Sequence, residues 1–148
     1  MEPLAGALGV SVIELMSGSS VKNSNRSFNM RRMKFHVCPV CGNVLCGTGE
    51  AVISCCGIML PPLEAEAEDA EHALSVEKVE DEYYVTIDHE MTREHYISFI
   101  AAVRDNGYEL VKLYPEGPAE ARFKRGRTQK ICFYCNRDGL FAASGWKK

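Results

Sequence analysis

Short segments of alternating apolar and polar residues, or of β-branched and aromatic residues, fill most of the chain after residue 80. Such segments predict β-strands, because successive side chains of a strand point to opposite faces of its sheet. The predicted strands cover residues 83–87, 109–114, 119–123 and 130–134. Residues 95–104 are compatible with either a short helix or a strand.

Turn signals separate these predicted strands. Asn106-Gly107 and Lys124-Arg125-Gly126 are favoured turn sequences, because glycine adopts backbone conformations that other residues avoid. Short strands at regular spacing are typical of two sheets packed face to face. The pattern therefore predicts a mostly β protein that contains a small β-sandwich.

The first 32 residues differ from the rest of the chain. Residues 3–8 predict a short helix that ends at Gly9, and residues 11–14 have the spacing of an N-terminal capping box. Residues 17–29 are rich in Ser, Asn and Gly, a composition typical of linkers. We expect residues 1–32 to form a helical segment followed by a flexible linker.

The N-terminal segment also carries a sequence resemblance. Residues 4–16 resemble the last two helices of a Cro/repressor-type helix-turn-helix domain. The helices that enter the DNA groove in such a domain have no counterpart here, which argues against binding to nucleic acid. An amphipathic tail explains the same pattern equally well, so both interpretations stay open.

The overall composition is typical of a folded globular protein. Of the 148 residues, 46% are hydrophobic and 25% are charged, which excludes a wholly disordered chain. The net charge of −3 argues against a surface that binds nucleic acid. No apolar run reaches the roughly 18 residues of a membrane-spanning helix. Because Glu2 and Glu14 interrupt the apolar N-terminus, we predict no export signal and a cytoplasmic location.

Four of the seven cysteines form two closely spaced pairs. Cys38 and Cys41 flank a two-residue spacer, whereas Cys55 and Cys56 are adjacent. In the cytoplasm such clusters are more often metal ligands than disulfides, although a disulfide stays open as an alternative to a zinc or an iron site. Four thiolates suit tetrahedral zinc or iron. The ligand set alone favours a structural zinc site, and a redox iron site is the functional alternative.

A second group of residues predicts a different metal site. His72, His89, His95 and Cys135 combine imidazole nitrogens with one thiolate, and Asp138 lies three residues after the cysteine. That donor set suits a transition metal that changes oxidation state. Each histidine alone is explained as well by a surface position or a hydrogen bond.

Cys132 offers another interpretation of the same region. Together with Cys135, Cys38 and Cys41 it matches the spacing of a zinc ribbon. Residues three apart on a strand face opposite sides of the sheet, which argues against this pairing. Cys46 has no predicted role.

A run of acidic residues follows Pro61-Pro62 and separates the two predicted sites. It contains Glu64, Glu66, Glu68, Asp69 and Glu71. Such runs are typical of solvated surface, so we predict an exposed connector.

Residues 35–141 resemble the desulfoferrodoxin/superoxide reductase family. The motifs that carry the resemblance occur in order over roughly 107 residues. They are Cys38-x2-Cys41-Gly-Asn, Cys55-Cys56-Gly, the His72 segment, His89-x-Met91-x3-His95-Tyr-Ile, Pro115-x-Gly117-x2-Glu120-Ala121-x-Phe123, and Tyr134-Cys135-Asn136-x2-Gly139-Leu140.

The resemblance implies a fold with two metal-binding parts. Residues 33–63 match a small rubredoxin-like (desulforedoxin) domain, in which Cys38, Cys41, Cys55 and Cys56 hold iron or zinc. Residues 64–148 match an immunoglobulin-like β-sandwich, and the family often forms homodimers. In the sandwich, His72, His89 and His95 match three of the four equatorial imidazoles of a catalytic iron, and Cys135 matches its axial thiolate.

The resemblance also implies a reaction, the one-electron reduction of superoxide to hydrogen peroxide with uptake of two protons. The electrons would come from a small rubredoxin-like donor. Two departures from the family pattern bear on this activity. Asp138 stands where the family has its fourth histidine, and Glu71 stands where it has a lysine that attracts the anion.

Both departures add negative charge next to the predicted site. We expect Asp138 to be a ligand or to lie beside one, and we expect slower turnover than in a four-histidine enzyme, because superoxide is an anion. The alternative is a metal-binding structural or redox-sensing module derived from a regulator fusion, with little turnover.

Overall fold

The computed structural model describes residues 2–8, 12–18 and 30–144. These residues form two α-helices, a short 3-10 helix at Met30–Arg32 and twelve strands. The helices are α1 (Glu2–Leu8) and α2 (Val12–Ser17), and the strands are β1 (Lys34–Val37), β2 (Val44–Gly47), β3 (Ile53–Cys55), β4 (Ile58–Leu60), β5 (Ala65–Glu66), β6 (Ala73–Val79), β7 (Glu82–Asp88), β8 (Ile97–Arg104), β9 (Tyr108–Lys112), β10 (Glu120–Lys124), β11 (Thr128–Cys135) and β12 (Gly139–Ala143).

The sandwich predicted from the strand pattern is present. A three-stranded sheet in the order β10-β7-β6 packs against a five-stranded sheet in the order β5-β12-β11-β8-β9. Side chains from the inner faces of both sheets share one core, which includes Val85, Ile100, Phe123 and Phe133. Apolar burial of this kind is the main stabilising contribution to the fold. The mostly β fold class is thus confirmed.

Strand β8 resolves the ambiguity over residues 95–104. Seven of its eight residues are buried, so the alternation that marks a half-exposed strand is lost. One face contributes Ile97 and Ile100 to the sandwich core. The other face contributes Phe99, whose ring centroid lies 5.4 Å from that of Phe35 on β1. The helical alternative is therefore wrong.

The cysteine-rich segment forms two small hairpins, β1–β2 and β3–β4. Its apolar residues do not form an isolated core, because Met33 and Phe35 pack with Phe99, Cys132 and other residues of the five-stranded sheet. His36 is buried, and its Nδ1 lies 3.0 Å from the carbonyl oxygen of Leu60 at the end of β4. This hydrogen bond joins the two hairpins.

The acidic connector is exposed, as predicted, but it has structure of its own. Strand β5 pairs in parallel with β12. Further along, the carboxylate of Glu68 accepts a hydrogen bond from the backbone of Leu74, and that of Asp69 contacts His72. The connector therefore positions residues at the start of β6.

The two helices lie where residues 3–8 and 11–14 predict them. Ser11 of the expected capping box and residues 19–29 of the expected linker lie outside the described residues. In the part of the chain that the structure describes, neither helix has the length and apolar character needed to cross a membrane.

Candidate metal centres

Four predicted ligands meet at one end of the sandwich because of how the strands pair. Ala73 at the start of β6 pairs with Asp88 at the end of β7, which places His72 beside His89. Ile97 near the start of β8 pairs with Cys135 at the end of β11. Antiparallel pairing thus brings four separate chain segments to a common edge.

The donor atoms at this edge point toward one another. The Nε2 atom of His95 lies 3.2 Å from Nε2 of His89 and 3.1 Å from Sγ of Cys135. One donor atom from each of His72, His89, His95 and Cys135 lies within 4.8 Å of all the others. Two ligands bound at right angles about 2.1 Å from an ion would be about 3 Å apart, so the spacing fits a metal.

Asp138 belongs to the same cluster. Its Oδ2 atom lies 2.9 Å from Nε2 of His95, 3.1 Å from Nε2 of His72 and 3.3 Å from Sγ of Cys135. The turn between β11 and β12 carries this carboxylate back toward the end of β11. Asp138 therefore contacts three of the four clustered side chains.

His72 is the most constrained of the three imidazoles. Its ring is 1% exposed and stacks on Phe141 at a centroid distance of 4.4 Å. The carboxylate of Asp69 lies 2.8 Å from Nδ1, which leaves Nε2 facing the cluster. Oδ2 of Asp138 lies 3.1 Å from that buried Nε2, but not in hydrogen-bonding geometry, so Nε2 has no hydrogen-bond partner among the described residues. A buried nitrogen without a partner is costly, and a metal ion would satisfy it.

The Nδ1 atoms of the other two imidazole rings have different hydrogen-bond partners. Nδ1 of His95 is hydrogen bonded to the carboxylate of Glu90, which leaves Nε2 facing the cluster. For His89, the backbone amide of Met91 donates to Nδ1 over 3.2 Å. A nitrogen that accepts a hydrogen bond carries no proton, so in this arrangement the His89 proton lies on Nε2. Metal binding through Nε2 would therefore require the His89 ring to lose that proton or to transfer it to Nδ1.

Burial and neighbouring groups shift the pKa values of the side chains in this cluster. Burial raises the pKa of the Cys135 thiol and lowers the pKa of His89. The pKa of Asp138 is lowered, first by the hydrogen bond that the Cys135 thiol donates to it and next by its contact with His95. Ionisation of the Cys135 thiol is thus disfavoured, and a bound cation would stabilise its thiolate.

Two orienting carboxylates were not predicted. Asp69 falls within a run that resembles solvated surface, and Glu90 is an exposed residue directly after His89. Spacing offers a weak signal, since Asp69 lies three residues before His72, close enough for a turn to join them. Their roles depend on tertiary contacts with the imidazoles.

The four clustered cysteines form the second group of possible ligands. Cys38 and Cys41 lie in the turn after β1, where the amide of Gly42 donates to the carbonyl of Cys38 and Gly42 has a φ of +71°. Cys55 and Cys56 lie at the turn between β3 and β4, and Cys56 has a φ of +52°. Each hairpin thus presents two thiols on one turn.

The sulfur atoms of these turns are spaced like ligands of one ion. Sγ of Cys55 lies 3.6 Å from Sγ of Cys41 and 3.9 Å from Sγ of Cys56. Tetrahedral ligands about 2.3 Å from zinc or iron lie about 3.8 Å apart. The pKa of Cys38 is lowered to about 7, mainly by a hydrogen bond from the Cys41 backbone, whereas that of Cys56 is raised to about 12 by the neighbouring thiols. A cation is needed to hold all four as thiolates.

The remaining cysteines lie outside both groups, and all seven are free thiols. Cys132 is buried with Phe99 on one face of the five-stranded sheet, whereas Cys135 faces the sandwich core. The zinc-ribbon pairing of these two residues is therefore wrong. Cys46 is half-buried beside Tyr108.

Comparisons with known proteins agree with this architecture. No protein-family model matches the chain. A desulfoferrodoxin homolog from Archaeoglobus fulgidus is 28% identical over 120 residues, covering 74% of this chain and 94% of the relative.

Two solved structures are also similar to the chain. The superoxide reductase of Treponema pallidum aligns with a TM-score of 0.69 and 22% identity, over 77% of this chain and 99% of that one. A superoxide reductase of Giardia intestinalis aligns with a TM-score of 0.41 and 16% identity, over 51% of this chain and 96% of that one. The first alignment shows that the fold is shared. These comparisons do not support the helix-turn-helix resemblance of residues 4–16, which stays a prediction.

Proposed function

We propose that this chain is a superoxide reductase of the desulfoferrodoxin family that holds iron at the cluster of His72, His89, His95, Cys135 and Asp138. The observation that carries the proposal is the convergence of three imidazole nitrogens and one sulfur within 4.8 Å, from segments up to 63 positions apart (135 − 72 = 63). The similarity to a desulfoferrodoxin homolog supports the choice of reaction.

The reaction consumes one superoxide, one electron and two protons, and it forms one hydrogen peroxide. Bound iron supplies the one-electron couple. The chain contributes a buried sulfur at Cys135 and imidazoles whose rings are fixed from behind by Asp69 and Glu90. Asp138 is 44% exposed, so water reaches this side of the cluster and can deliver the protons.

Several further features belong to the same proposal. The four-cysteine cluster holds iron or zinc. Residues 33–63 and residues 64–148 form two separate domains of the chain. A rubredoxin-like protein supplies the electrons in the cytoplasm, and the chain works as a homodimer. The packing of Phe35 against Phe99 supports a rigid connection between the two parts.

The test is a metal count and a visible spectrum of the anaerobically purified chain, before and after superoxide is added. We expect iron at the His/Cys cluster and one hydrogen peroxide for each superoxide consumed, without release of dioxygen. Dioxygen release would indicate dismutation instead. Zinc alone, with no consumption of superoxide, would contradict the proposal.

The alternative is a structural or redox-sensing metal module with little turnover. The observation that favours it is the carboxylate of Asp138 within 3.3 Å of three of the proposed ligands, where the family has a histidine. The same experiment with a one-electron reductant added separates the two functions, because a module of this kind would bind metal without sustained peroxide production.

The approach to the proposed site is acidic. A cavity of about 450 Å³ beside His89 and His95 is also lined by Glu71, Asp88 and Glu90. These carboxylates repel an anion at low ionic strength, and added salt screens the repulsion. We therefore expect the rate of superoxide reduction to rise with ionic strength.

Replacing Glu71 by lysine is expected to weaken this salt dependence. The change removes one negative charge and adds one positive charge at the cavity, so the rate at low ionic strength should increase about tenfold, at the lower end of electrostatic steering effects. The measurement is the second-order rate of superoxide reduction across a series of salt concentrations. Glu50→Lys is the matched control, since it makes the same change in net charge at an exposed residue that does not line the cavity. Equal salt profiles for both variants would contradict the acidic-entry argument.

A further inference from the structure

The ladder between β8 and β11 is irregular next to the proposed ligands. Tyr134 pairs with Phe99 and Cys135 pairs with Ile97, so Ser98 has no pairing partner on β11. An extra residue of this kind is a β-bulge, which weakens regular pairing and bends the strand. The segment that carries His95 therefore needs another connection to the segment that carries Cys135.

Asn136 provides that connection. Its backbone amide donates to the carbonyl of Tyr96 over 3.1 Å. Its side-chain Oδ1 accepts a hydrogen bond from the backbone amide of Tyr96 over 2.9 Å, and its Nδ2 donates to the carbonyl of Glu94 over 2.9 Å. The three hydrogen bonds bind the backbone on both sides of His95.

The side-chain amide acts here in place of a peptide group. In a regular antiparallel pair, the two facing residues exchange two backbone hydrogen bonds. Asn136 supplies one of these from its backbone, but the chain turns at residues 136–138, and Oδ1 accepts the return bond from Tyr96. Nδ2 then extends the pairing by one more bond to Glu94. The carboxamide thus continues the ladder beyond the bulge.

We infer that Asn136 is a positioning residue that fixes His95 relative to Cys135 and Asp138. Within the described residues, the hydrogen bonds of its side chain go to backbone atoms of Tyr96 and Glu94, and it precedes Asp138 by only two residues. Without its side chain, the backbone of the 94–96 segment keeps a single hydrogen bond to the turn, which runs from the amide of Asn136 to the carbonyl of Tyr96. The donor atoms of His95 and Cys135, which are 3.1 Å apart, would then adopt a wider range of separations.

This inference rests on the proposed metal site, but it does not depend on superoxide as the substrate. Its test is a Co²⁺ titration of the full-length chain under reducing, anaerobic conditions, followed by absorption spectroscopy. Asn136→Ala is expected to weaken Co²⁺ binding at the His/Cys cluster about 10- to 100-fold, the usual effect of removing a group that orients ligands. The sulfur-to-cobalt charge-transfer band of this site should also shift, while Co²⁺ binding at the four-cysteine cluster should not change.

Two more variants sharpen the test. Asn136→Asp keeps an oxygen to accept from Tyr96 but places a second oxygen against the Glu94 carbonyl, so its Co²⁺ affinity should fall between that of Asn136→Ala and that of the unmodified chain. Asn106→Ala is the matched control, because Asn106 is exposed in the turn after the opposite end of β8. It should leave both sites unchanged.

A purely structural role would give a different result. Asn136 is exposed, so losing its side-chain bonds should lower thermal stability only modestly. Equal weakening of both metal sites, or unchanged Co²⁺ affinity and band position in Asn136→Ala, would overturn the inference. Affinity in Asn136→Asp equal to that of the unmodified chain would also overturn it. Absence of superoxide reduction by the iron-loaded chain would instead count against the proposed function.

Discussion

Replacing Cys135 by serine is expected to remove the visible sulfur-to-iron charge-transfer band of the His/Cys cluster. A serine hydroxyl does not ionise near neutral pH and offers no sulfur orbital, so the band has no origin in the variant. Reduction of superoxide should be lost with it, because Cys135 supplies the one thiolate of the cluster. The measurement is the visible spectrum of the oxidised, iron-loaded chain, together with a superoxide assay.

The four-cysteine cluster provides an internal reference for this experiment. Its own bands should persist in Cys135→Ser, because none of its sulfurs contacts Cys135 in the described residues. Cys132→Ala is the matched control on the same strand, since Cys132 faces the opposite side of the sheet and burial raises its pKa to about 11. If the charge-transfer band survives in Cys135→Ser but disappears in Cys132→Ala, then Cys132 supplies the thiolate and the assignment to Cys135 is wrong.

The fold follows from sequence pattern wherever one face of a strand meets the core and the other meets water. β7 and β10 satisfy this condition, with alternating buried and less buried positions, and both were predicted. β8 does not, because it is covered on both faces, and its uniform burial removes the alternation. β5 has only two residues and depends on its partner β12, so local sequence carries almost no signal for it.

The candidate site could be predicted only in part. His72, His89, His95 and Cys135 were identified through the family resemblance, since each histidine alone is compatible with a simple hydrogen bond. His36 shows why this matters, because it is a buried histidine that binds the carbonyl of Leu60 and takes no part in either cluster. The sequence does not distinguish these two kinds of histidine, because the difference arises from strand pairing.

Replacing Asp138 by histidine is expected to accelerate superoxide reduction about ten- to hundredfold. One thiolate, three neutral imidazoles and a carboxylate around Fe²⁺ give a net charge of zero, whereas four imidazoles and a thiolate give +1. An added positive charge a few ångströms from an incoming anion contributes about 1–4 kcal/mol between water and a partly buried environment. Each 1.4 kcal/mol corresponds to a tenfold change in rate.

The same substitution is expected to raise the reduction potential of the iron by an amount on the order of 100 mV, because a carboxylate stabilises the ferric state more than an imidazole does. The measurements are a redox titration and the second-order rate of superoxide reduction. Asp138→Asn is the matched control. It removes the charge without supplying an imidazole, so the potential should rise while metal affinity falls.

The geometry of the turn makes the substitution feasible. The carboxylate of Asp138 is 44% exposed and already lies 2.9 Å from Nε2 of His95, so a larger ring has solvent on one side and the cluster on the other. If Asp138→His binds iron and yet leaves both the superoxide rate and the potential unchanged, then Asp138 neither binds the iron nor sets the charge that superoxide meets. The slow turnover expected of this chain would then need another physical cause.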